Sequence, residues 1–279
     1  MKRRLCALLL ALLTLAFAAA AAENTRVRHY LLLGEDGYAD SVVDDARTDT
    51  IVLLSLDEQY NRVIMTSILR DSMITSPRGT PTKANLLYKY YGFEGLSECI
   101  ARELDIAIEG CVLVNFEHVK PVIDENEYIS IRKILLGKDE NMPKGPGLVH
   151  MTGRIALAYM RDRQSGSGDF SRTQRQRKVV AQLVAKCRDL SLLELVGIYN
   201  DVSSGMKMSL SIPGILGAMK SGYGLIASGA DFVEFRVPQD GTYSYTSLEG
   251  HGSVLDVRWR TNRQRFHALL DTNPEETNR

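Results

Sequence analysis

Residues 50–56 read TIVLLSL, and this uninterrupted run, with a similar apolar run on either side of it, decides the fold. The neighbouring runs are Val27–Leu33 and Val63–Ile68, and polar, turn-prone segments separate the three. Short runs of β-branched and aliphatic residues are typical of strands that are buried in a sheet. We therefore expect three neighbouring strands at the centre of the protein.

The rest of the chain adds helices to this sheet. Apolar residues at helical spacing alternate with further short β-rich runs, and no internal repeat or break in composition divides the chain. The pattern predicts an α/β fold with one domain over residues 23–279, in which a central mixed sheet is flanked by helices on both faces as three layers. The further strands are predicted at Cys111–Phe116, Phe232–Val237 and Val254–Val257, and the helices at Gly95–Leu104, Glu117–Asp124, Thr152–Arg161, Ser171–Arg188, Ile212–Ile226 and Thr261–Leu270.

Residues 1–22 predict export. Met1–Arg4 is positively charged, and Leu5–Ala22 is uncharged, rich in Leu and Ala, and ends in small residues. This pattern is typical of a signal peptide, and its length also approaches that of a minimal membrane span. Cleavage and retention as an N-terminal anchor both remain open. Either one places residues 23–279 outside the cytoplasmic membrane, at the membrane surface or in the cell wall.

Charge and cysteine content exclude several classes of function. Lys and Arg total 34, as do Asp and Glu, so the net charge does not favour nucleic acid and any anion site must be local. Cys99, Cys111 and Cys187 are widely spaced, which argues against a disulfide scaffold and a zinc site. The five histidines have no metal-ligand spacing, and we interpret each of them, including His251, as a structural or surface residue.

Two aspartates lie at the ends of adjacent predicted strands. Asp36 ends the segment GED at 34–36, and Asp49 lies in RTDT at 47–50, at the start of the next run. Ligands collect at strand ends in open α/β sheets, and two carboxylates there suit a hard cation such as Mg²⁺. Asp is also common in turns, where it bonds to the backbone, so a structural role is the alternative.

A second polar cluster follows the third apolar run. Arg70 and Asp71 come directly after this run, and Lys83 and Asn85 follow a loop that contains Pro and Gly. Arg binds phosphate oxygens with a bidentate fork, and Lys binds them as a point charge. The alternative is a surface Arg–Asp pair, which contributes little to stability.

The third cluster has the highest density of charge. Two arginines precede a Gly/Ser-rich loop that ends at Asp169, and three long polar side chains open the next predicted helix: Arg161, Arg163, Arg172, Arg175 and Gln176. The last three share one helix face, and helix N-termini favour anions. A solvated basic helix face is the alternative.

Together the three clusters predict a diphosphate site that uses Mg²⁺ to offset the charge on a leaving phosphate. Mn²⁺ is the alternative ion. The sequence contains no Ser-His-Asp or Cys-His arrangement and no Walker-type glycine loop that would indicate different chemistry.

At these clusters the sequence resembles the LytR-CpsA-Psr family of cell-wall glycopolymer transferases. The resemblance runs in order over nearly all of residues 23–279, and its last segment is the longest and most specific. The segments are YLLLGED at 30–36, RTDTIVLLSL at 47–56, SILRDSM at 67–73, KANLLYKYYG at 83–92, VNFEHVKPVID at 114–124 and ALAYMRDRQSGSGDFSRTQRQRKV at 156–179.

The resemblance implies a phosphotransferase that takes a glycopolymer, such as wall teichoic acid or capsule, from an undecaprenyl-pyrophosphate carrier and attaches it to a peptidoglycan hydroxyl. It implies that Asp36 and Asp49 hold Mg²⁺ and that Asp71 orients Arg70 or acts as a base toward the acceptor. The candidate catalytic residues are Asp36, Asp49, Arg70, Asp71 and Arg163. The residues implied to bind the pyrophosphate are Arg70, Lys83, Arg161, Arg163, Arg172 and Gln176.

Two other functions remain open. A pyrophosphatase that acts on the same lipid, with water in place of the sugar hydroxyl, would use the same residues. A non-catalytic polyprenyl-phosphate binding or regulatory protein is the other alternative, because Tyr38 stands where the family usually has an arginine.

Overall fold

A six-stranded mixed sheet lies at the centre of the protein, as the apolar runs predict. The computed structural model describes residues 27–35, 48–115, 129–133, 147–162, 169–187, 206–211 and 222–273. The strands are β1 (Val27–Glu35), β2 (Thr48–Asp57), β3 (Arg62–Ile68), β4 (Met73–Thr75), β5 (Pro81–Lys83), β6 (Ile108–Asn115), β7 (Ile129–Lys133), β8 (Gly147–Met151), β9 (Met206–Met208), β10 (Asp231–Val237), β11 (Tyr243–Leu248) and β12 (Gly252–Val257). The helices are α1 (Ala84–Leu104), α2 (Gly153–Arg161), α3 (Asp169–Cys187) and α4 (Trp259–Asp271), and residues 222–227 are also helical.

The strand order of the central sheet is β10-β3-β2-β1-β6-β9. The neighbours β1 and β2, β2 and β3, and β6 and β9 are antiparallel, whereas β1 with β6 and β3 with β10 are parallel. The predicted mixed sheet is therefore confirmed. The smaller pairs β4–β5, β7–β8 and β11–β12 lie outside it.

The central strands are buried on both faces. Leu33 lies opposite Ile51, and these side chains share one buried cluster with Leu96 of α1 and Phe266 of α4. Each such Leu or Ile stabilises the fold by roughly 1.5–3 kcal/mol when it leaves water. The next position, Val52, faces the other side and is 2% exposed.

Helix α3 covers that other side. Ser67 lies opposite Val52 in the register, so both project from the same face. The Nη1 of Arg177 on α3 donates to the Oγ of Ser67 at 2.6 Å. Helices α1 and α4 therefore pack on one face and α3 on the other, which confirms the predicted three layers.

Helix α1 begins earlier than the sequence predicts. The helical pattern is clear only from Gly95, yet the helix starts at Ala84. Gly92 has φ 63° and ψ −161°, which is not helical and divides α1 into two parts. The apolar spacing of the first part does not continue in phase across this break, because a non-helical residue rotates the second part.

Several short strands escape prediction because they carry little apolar pattern. Four consecutive residues of β11, at 244–247, are exposed. The strand therefore lacks the alternation of buried apolar and exposed polar residues from which strands are predicted. The predicted helix at Glu117–Asp124 and most of that at Ile212–Ile226 lie outside the described residues. So do residues 1–26 with the predicted export segment, and no helix in the described ranges is long and apolar enough to cross a membrane.

Candidate functional site

The turn after β3 carries Arg70 and Asp71, and backbone hydrogen bonds fix it from three sides. The Leu69 amide donates to the carbonyl of Val237 in β10 at 2.9 Å, and the Asn85 amide at the start of α1 donates to the carbonyl of Arg70 at 3.0 Å. From the third side, the Leu255 amide of β12 donates to the Asp71 carbonyl at 2.9 Å. The two side chains therefore project from a rigid turn.

The β4–β5 hairpin brings Lys83 to this turn. Its register pairs Met73 with Lys83, so the residue that ends β5 lies beside the start of β4. The Nζ of Lys83 donates to the Oδ1 of Asp71 at 2.7 Å. Lys83 therefore lies beside Asp71 in the second cluster, as the sequence predicts.

Arg70 connects the first and third clusters. Its Nη1 donates to the Oδ1 of Asp49 on β2 at 2.8 Å, and its Nε donates to the Oδ2 of Asp169, the first residue of α3, at 2.7 Å. Burial opposes the charged form of Arg70, but the hydrogen bond that it donates to Asp49 and the charges of Asp49, Asp169 and Asp71 outweigh burial and raise the pKa of Arg70 above its ordinary value. Arg70 is therefore a permanent cation at the meeting point of a strand, a turn and a helix.

Arg172 completes the cationic part of the site from α3. Its side chain is 1% exposed. Its Nη2 donates to the main-chain oxygen of Asp49 at 3.1 Å and lies 3.4 Å from the Oδ1 of Asp169. Burying a guanidinium this deeply requires partners for its charge, and the two aspartates supply them.

The start of α3 is not a solvated basic face. Arg175 and Arg177 are 4% and 6% exposed, and Gln176 is 3% exposed. Arg175 donates to the main-chain oxygen of Asp162 rather than reaching the site. The alternative of a solvated helix face is therefore wrong. Of these residues, Arg172 contacts Asp49 and Asp169, whereas Arg175 contacts Asp162.

The site balances its own charge. Three cations, Arg70, Lys83 and Arg172, lie against three carboxylates, Asp49, Asp71 and Asp169. Burial would raise the pKa of Asp71, but the hydrogen bond from Lys83 and the charges of Arg70 and Lys83 outweigh it and hold the pKa below its ordinary value. Asp71 is therefore ionised at neutral pH.

A pocket of about 380 Å³ opens beside these charges. Its charged walls are formed by Asp49 from the first cluster and by Arg70, Asp71 and Lys83 from the second. The remaining walls come from the start of α1 and the β11–β12 turn: Asn85, Leu86, Gly250 and His251. Asn85 is 5% exposed, and its Oδ1 has no hydrogen-bond partner within the part of the chain that the structure describes. The pocket thus offers charged groups to a ligand, and Asn85 adds a buried acceptor within its wall.

The other predicted site residues lie elsewhere or outside the described ranges. Arg161 is the last residue of α2, and Gln176 lies on α3. Neither lines the pocket. Asp36 and Arg163 fall outside the described residues, although the register pairs Glu35 at the end of β1 with Thr48, next to Asp49.

Sequence reasoning missed the contributions of Asp169 and His251. Asp169 was recognised only as the end of a loop, although an acidic residue in the first turn of a helix is a usual cap. His251 is flanked by Gly250 and Gly252, whose φ values are 74° and 71°. That Gly-His-Gly pattern indicates a tight turn between strands. It is the sequence signal from which a position for His251 in a turn can be predicted.

Known proteins share this fold and part of this sequence. The chain is 29% identical over 184 residues to a polyisoprenyl-teichoic acid–peptidoglycan teichoic acid transferase TagU of Enterococcus faecalis, a match that covers 65% of the chain and 61% of that relative. The chain thus spans less than two thirds of the length of that relative. The structure of protein gbs0355 from Streptococcus agalactiae superimposes with a TM-score of 0.74 at 22% identity, over 92% of each chain. TagT bound to LIIa-WTA superimposes with a TM-score of 0.70 at 21% identity, over 91% of this chain and 94% of that one.

These structural matches establish the same α/β fold. The family model described as the LytR_cpsA_psr family matches residues 17–262, which is most of the chain. The chain therefore belongs to the LytR_cpsA_psr family.

Proposed function

We propose that this protein is a Mg²⁺-dependent phosphotransferase that moves a glycopolymer from an undecaprenyl-pyrophosphate carrier to peptidoglycan, outside the cytoplasmic membrane. The observation that carries the proposal is the junction at Arg70, where the side chains of Asp49 and Asp169 meet a cation beside an open pocket. The name of the TagU relative, a teichoic acid transferase, supports the choice of polymer and acceptor.

The cations of the site suit a pyrophosphate. Arg70 and Lys83 both line the pocket, and an Arg fork with a Lys point charge is a common arrangement around phosphate oxygens. In the transfer step, an oxygen of the acceptor attacks the phosphorus that carries the polymer. The bond from that phosphorus to the bridging oxygen breaks, and the carrier leaves as a polyprenyl phosphate. Arg70 and Lys83 stabilise the charge that develops on the leaving phosphate.

The charge balance of the site supports a divalent cation. Each of the three described site cations already lies against a carboxylate, so a pyrophosphate bound to them adds negative charge that these side chains do not offset. Within the described ranges no three His, Cys, Asp or Glu side chains gather as a metal site. Mg²⁺ commonly uses one or two carboxylates and completes its shell with water and substrate phosphates. Asp49, with Asp36, which follows Glu35 in the sequence, fits that requirement, and the ion would neutralise phosphate charge there.

Asp71 fits a positioning role better than a basic one. Its pKa is held below the ordinary value by Lys83 and Arg70, and a carboxylate with a low pKa is a weak base. Its Oδ1 accepts the hydrogen bond of Lys83 at 2.7 Å, and its Oδ2 lies 3.4 Å from the Nε of Arg70. We therefore assign Asp71 to holding these two cations in place.

A labelled lipid-linked polymer tests the proposal. The full chain is incubated with this donor and Mg²⁺, with and without peptidoglycan, and the label is followed in peptidoglycan and in released polymer. Transfer to peptidoglycan that is lost on adding a chelator and in Arg70→Ala, but kept in Arg102→Ala, is the expected result. Arg102 is a suitable control because its side chain is 42% exposed and it lies on α1 away from the pocket.

Two outcomes would replace the proposal. Polymer release that is the same with and without peptidoglycan would identify a pyrophosphatase. Retention of the donor without any turnover, lost in Arg70→Ala, would identify a binding protein.

A further inference from the structure

We infer that the β11–β12 hairpin, residues 243–257, is a docking surface for the sugar rings of an uncharged glycan strand. Under the proposed function, on which this assignment rests, that strand is the peptidoglycan acceptor. The inference depends on how the hairpin is attached to the site, on its exposed aromatic ring and on its charge.

The hairpin is built into the wall of the pocket. Leu255 of β12 forms a β-bridge with Ser72 and donates its amide hydrogen to the carbonyl of Asp71 at 2.9 Å. At the other end of β12, Gly250 and His251 in the turn line the pocket itself. A ligand that lies along the hairpin therefore reaches the charged groups of the site without crossing another element.

A row of aromatic rings leads from the site to the surface of the hairpin. The ring centroids of Phe170, the neighbour of Asp169, and Tyr243 lie 5.4 Å apart. Those of Tyr243 and Tyr245 lie 5.9 Å apart in an edge-on contact. Phe170 and Tyr243 pack against the core, whereas Tyr245 is 69% exposed. The exposed ring of Tyr245 offers a flat apolar face with a hydroxyl group at its tip.

Hydroxyl groups continue this row toward the pocket. Alternate residues of a strand share a face, so Tyr245 and Ser247 project from the same side of the hairpin. Ser247 pairs across the hairpin with Ser253, and both are exposed. A flat ring followed by hydroxyl groups offers stacking and hydrogen bonds, which are the two contacts that a sugar ring makes.

The charge of the hairpin selects an uncharged ligand. Residues 243–257 contain Glu249 and Asp256, both exposed, and no Lys or Arg. Arg236, whose guanidinium lies 4.5 Å from the Phe170 ring, is paired with Asp240, so the two exposed carboxylates of the hairpin disfavour a polymer rich in phosphate. The strand of an uncharged glycan has no such penalty, so the surface fits the acceptor rather than an anionic donor polymer.

The spacing from the ring to the site is suitable for a glycan. Tyr245 pairs with Leu255, which in turn bridges to Ser72, so the three residues lie on neighbouring strands. With about 4.8 Å between strands, the backbone of Tyr245 lies about 10 Å from that of Ser72. A strand of a few sugar units bound at Tyr245 therefore has a hydroxyl within reach of the pocket.

Binding by the full chain tests the surface without requiring catalysis. Two probes without phosphate are used, oligomers of N-acetylglucosamine in solution and insoluble peptidoglycan from which the attached polymer has been removed, and purified teichoic acid is the phosphate-rich comparison. We expect Tyr245→Ala to weaken binding of both phosphate-free probes about three- to tenfold, the range that one aromatic contact contributes. Tyr245→Phe keeps the ring and should bind like the unchanged protein.

Tyr90 provides a matched control. It is 59% exposed on α1 and contacts Tyr91 edge-on at 6.4 Å, much as Tyr245 contacts Tyr243. Tyr90→Ala should leave glycan binding unchanged. Equal binding by Tyr245→Ala and Tyr90→Ala would overturn the inference, and so would a loss in Tyr245→Ala that is confined to teichoic acid.

The transfer assay separates this inference from the proposed function. Tyr245→Ala should raise the KM for peptidoglycan by the same factor as it weakens binding, and it should leave the acceptor-free release of polymer unchanged. If the unchanged protein transfers nothing while the binding difference persists, the proposed function fails and the docking surface stands. If the unchanged protein and Tyr245→Ala both transfer polymer with the same KM for peptidoglycan, the docking surface is wrong and the proposed function stands.

Discussion

Arg70 donates from its Nε to the Oδ2 of Asp169 at 2.7 Å, across 99 positions of the chain. The bond links the turn after β3 to the first residue of α3, which packs on the opposite face of the sheet from α1. The same guanidinium reaches Asp49 with its Nη1. One planar group with several donors in fixed directions thus aligns elements from different layers of the fold.

Arg70→Lys should lose most activity while the fold survives. A single ammonium is not able to satisfy Asp49 and Asp169 in two fixed directions. We expect kcat/KM for polymer transfer to fall by about 10²- to 10³-fold, as for the loss of one charge-stabilising donor. The free energy of unfolding should fall by roughly 1–3 kcal/mol, between the costs for exposed and for buried pairs, because the three side chains are 17–22% exposed. Activity near that of the unchanged protein would contradict the bridging role.

Arg62→Met should destabilise the fold strongly. Arg62 is 2% exposed, donates to the buried carboxylate of Asp57 at 2.8 Å and also donates to the carbonyl of Leu270 at the end of α4. Removing one partner of a buried pair leaves an uncompensated charge, which costs about 3–5 kcal/mol. Urea denaturation measures the loss. Asp240→Asn is the control, because that carboxylate also pairs with an arginine but is 89% exposed, and it should cost less than about 1 kcal/mol.

The stability of the protein should fall between pH 6.5 and pH 4 because of His29. Burial, with a smaller effect from the charge of His267, lowers the pKa of His29 from 6.5 to about 4. The unfolded chain therefore binds a proton in this range that the folded protein excludes, and stability decreases as the pH falls. From pH 7 to pH 4.5 the loss from this group is about 2 kcal/mol.

His29→Gln provides the comparison for this pH dependence. Glutamine does not titrate, and it retains a polar group near the Oγ of Ser55, which lies 2.9 Å from the ring nitrogen of His29. Thermal unfolding at several pH values should show a smaller loss of stability on acidification in the variant. Parallel curves for the two proteins would show that another group causes the acid sensitivity.

The fold was predictable where burial leaves a strong pattern. β2 and β3 are buried along nearly their whole length, so every residue contributes to the apolar signal and the strands are found within a few positions. β11 is exposed along most of its length, and its pairing with β12 depends on contacts between residues that no local pattern records. The first half of α1 was hidden by the break at Gly92.

The sequence predicted those parts of the site in which charged residues follow soon after the end of a strand. Arg70, Asp71 and Lys83 lie together as expected, because a turn and a short hairpin set their separation locally. Asp169 and His251 join them only through the packing of α3 and the β11–β12 hairpin. Spacing along the chain carries no information about contacts between elements so far apart.

Asn85→Ala should lower activity with little cost in stability, and Asn262→Ala should do the reverse. Both asparagines are buried, at 5% and 0% exposure. The Oδ1 of Asn262 accepts from the Gln239 amide at 2.8 Å and its Nδ2 donates to the Arg258 carbonyl at 2.9 Å, so its removal leaves buried groups unsatisfied and costs about 1–3 kcal/mol. The Oδ1 of Asn85 has no such partner in the described ranges, and Asn85 is one of the residues that line the pocket.

A buried acceptor without a protein partner is an energetic cost that a bound ligand removes. Asn85→Ala eliminates that acceptor, so its free energy of unfolding by urea should remain within about 1 kcal/mol of the unchanged protein or rise. The same variant should bind the donor or the acceptor more weakly, by about fivefold or more for one lost hydrogen bond. If Asn85→Ala is strongly destabilised but turns over normally, the side-chain amide of Asn85 stabilises the turn at Arg70 and does not bind the ligand.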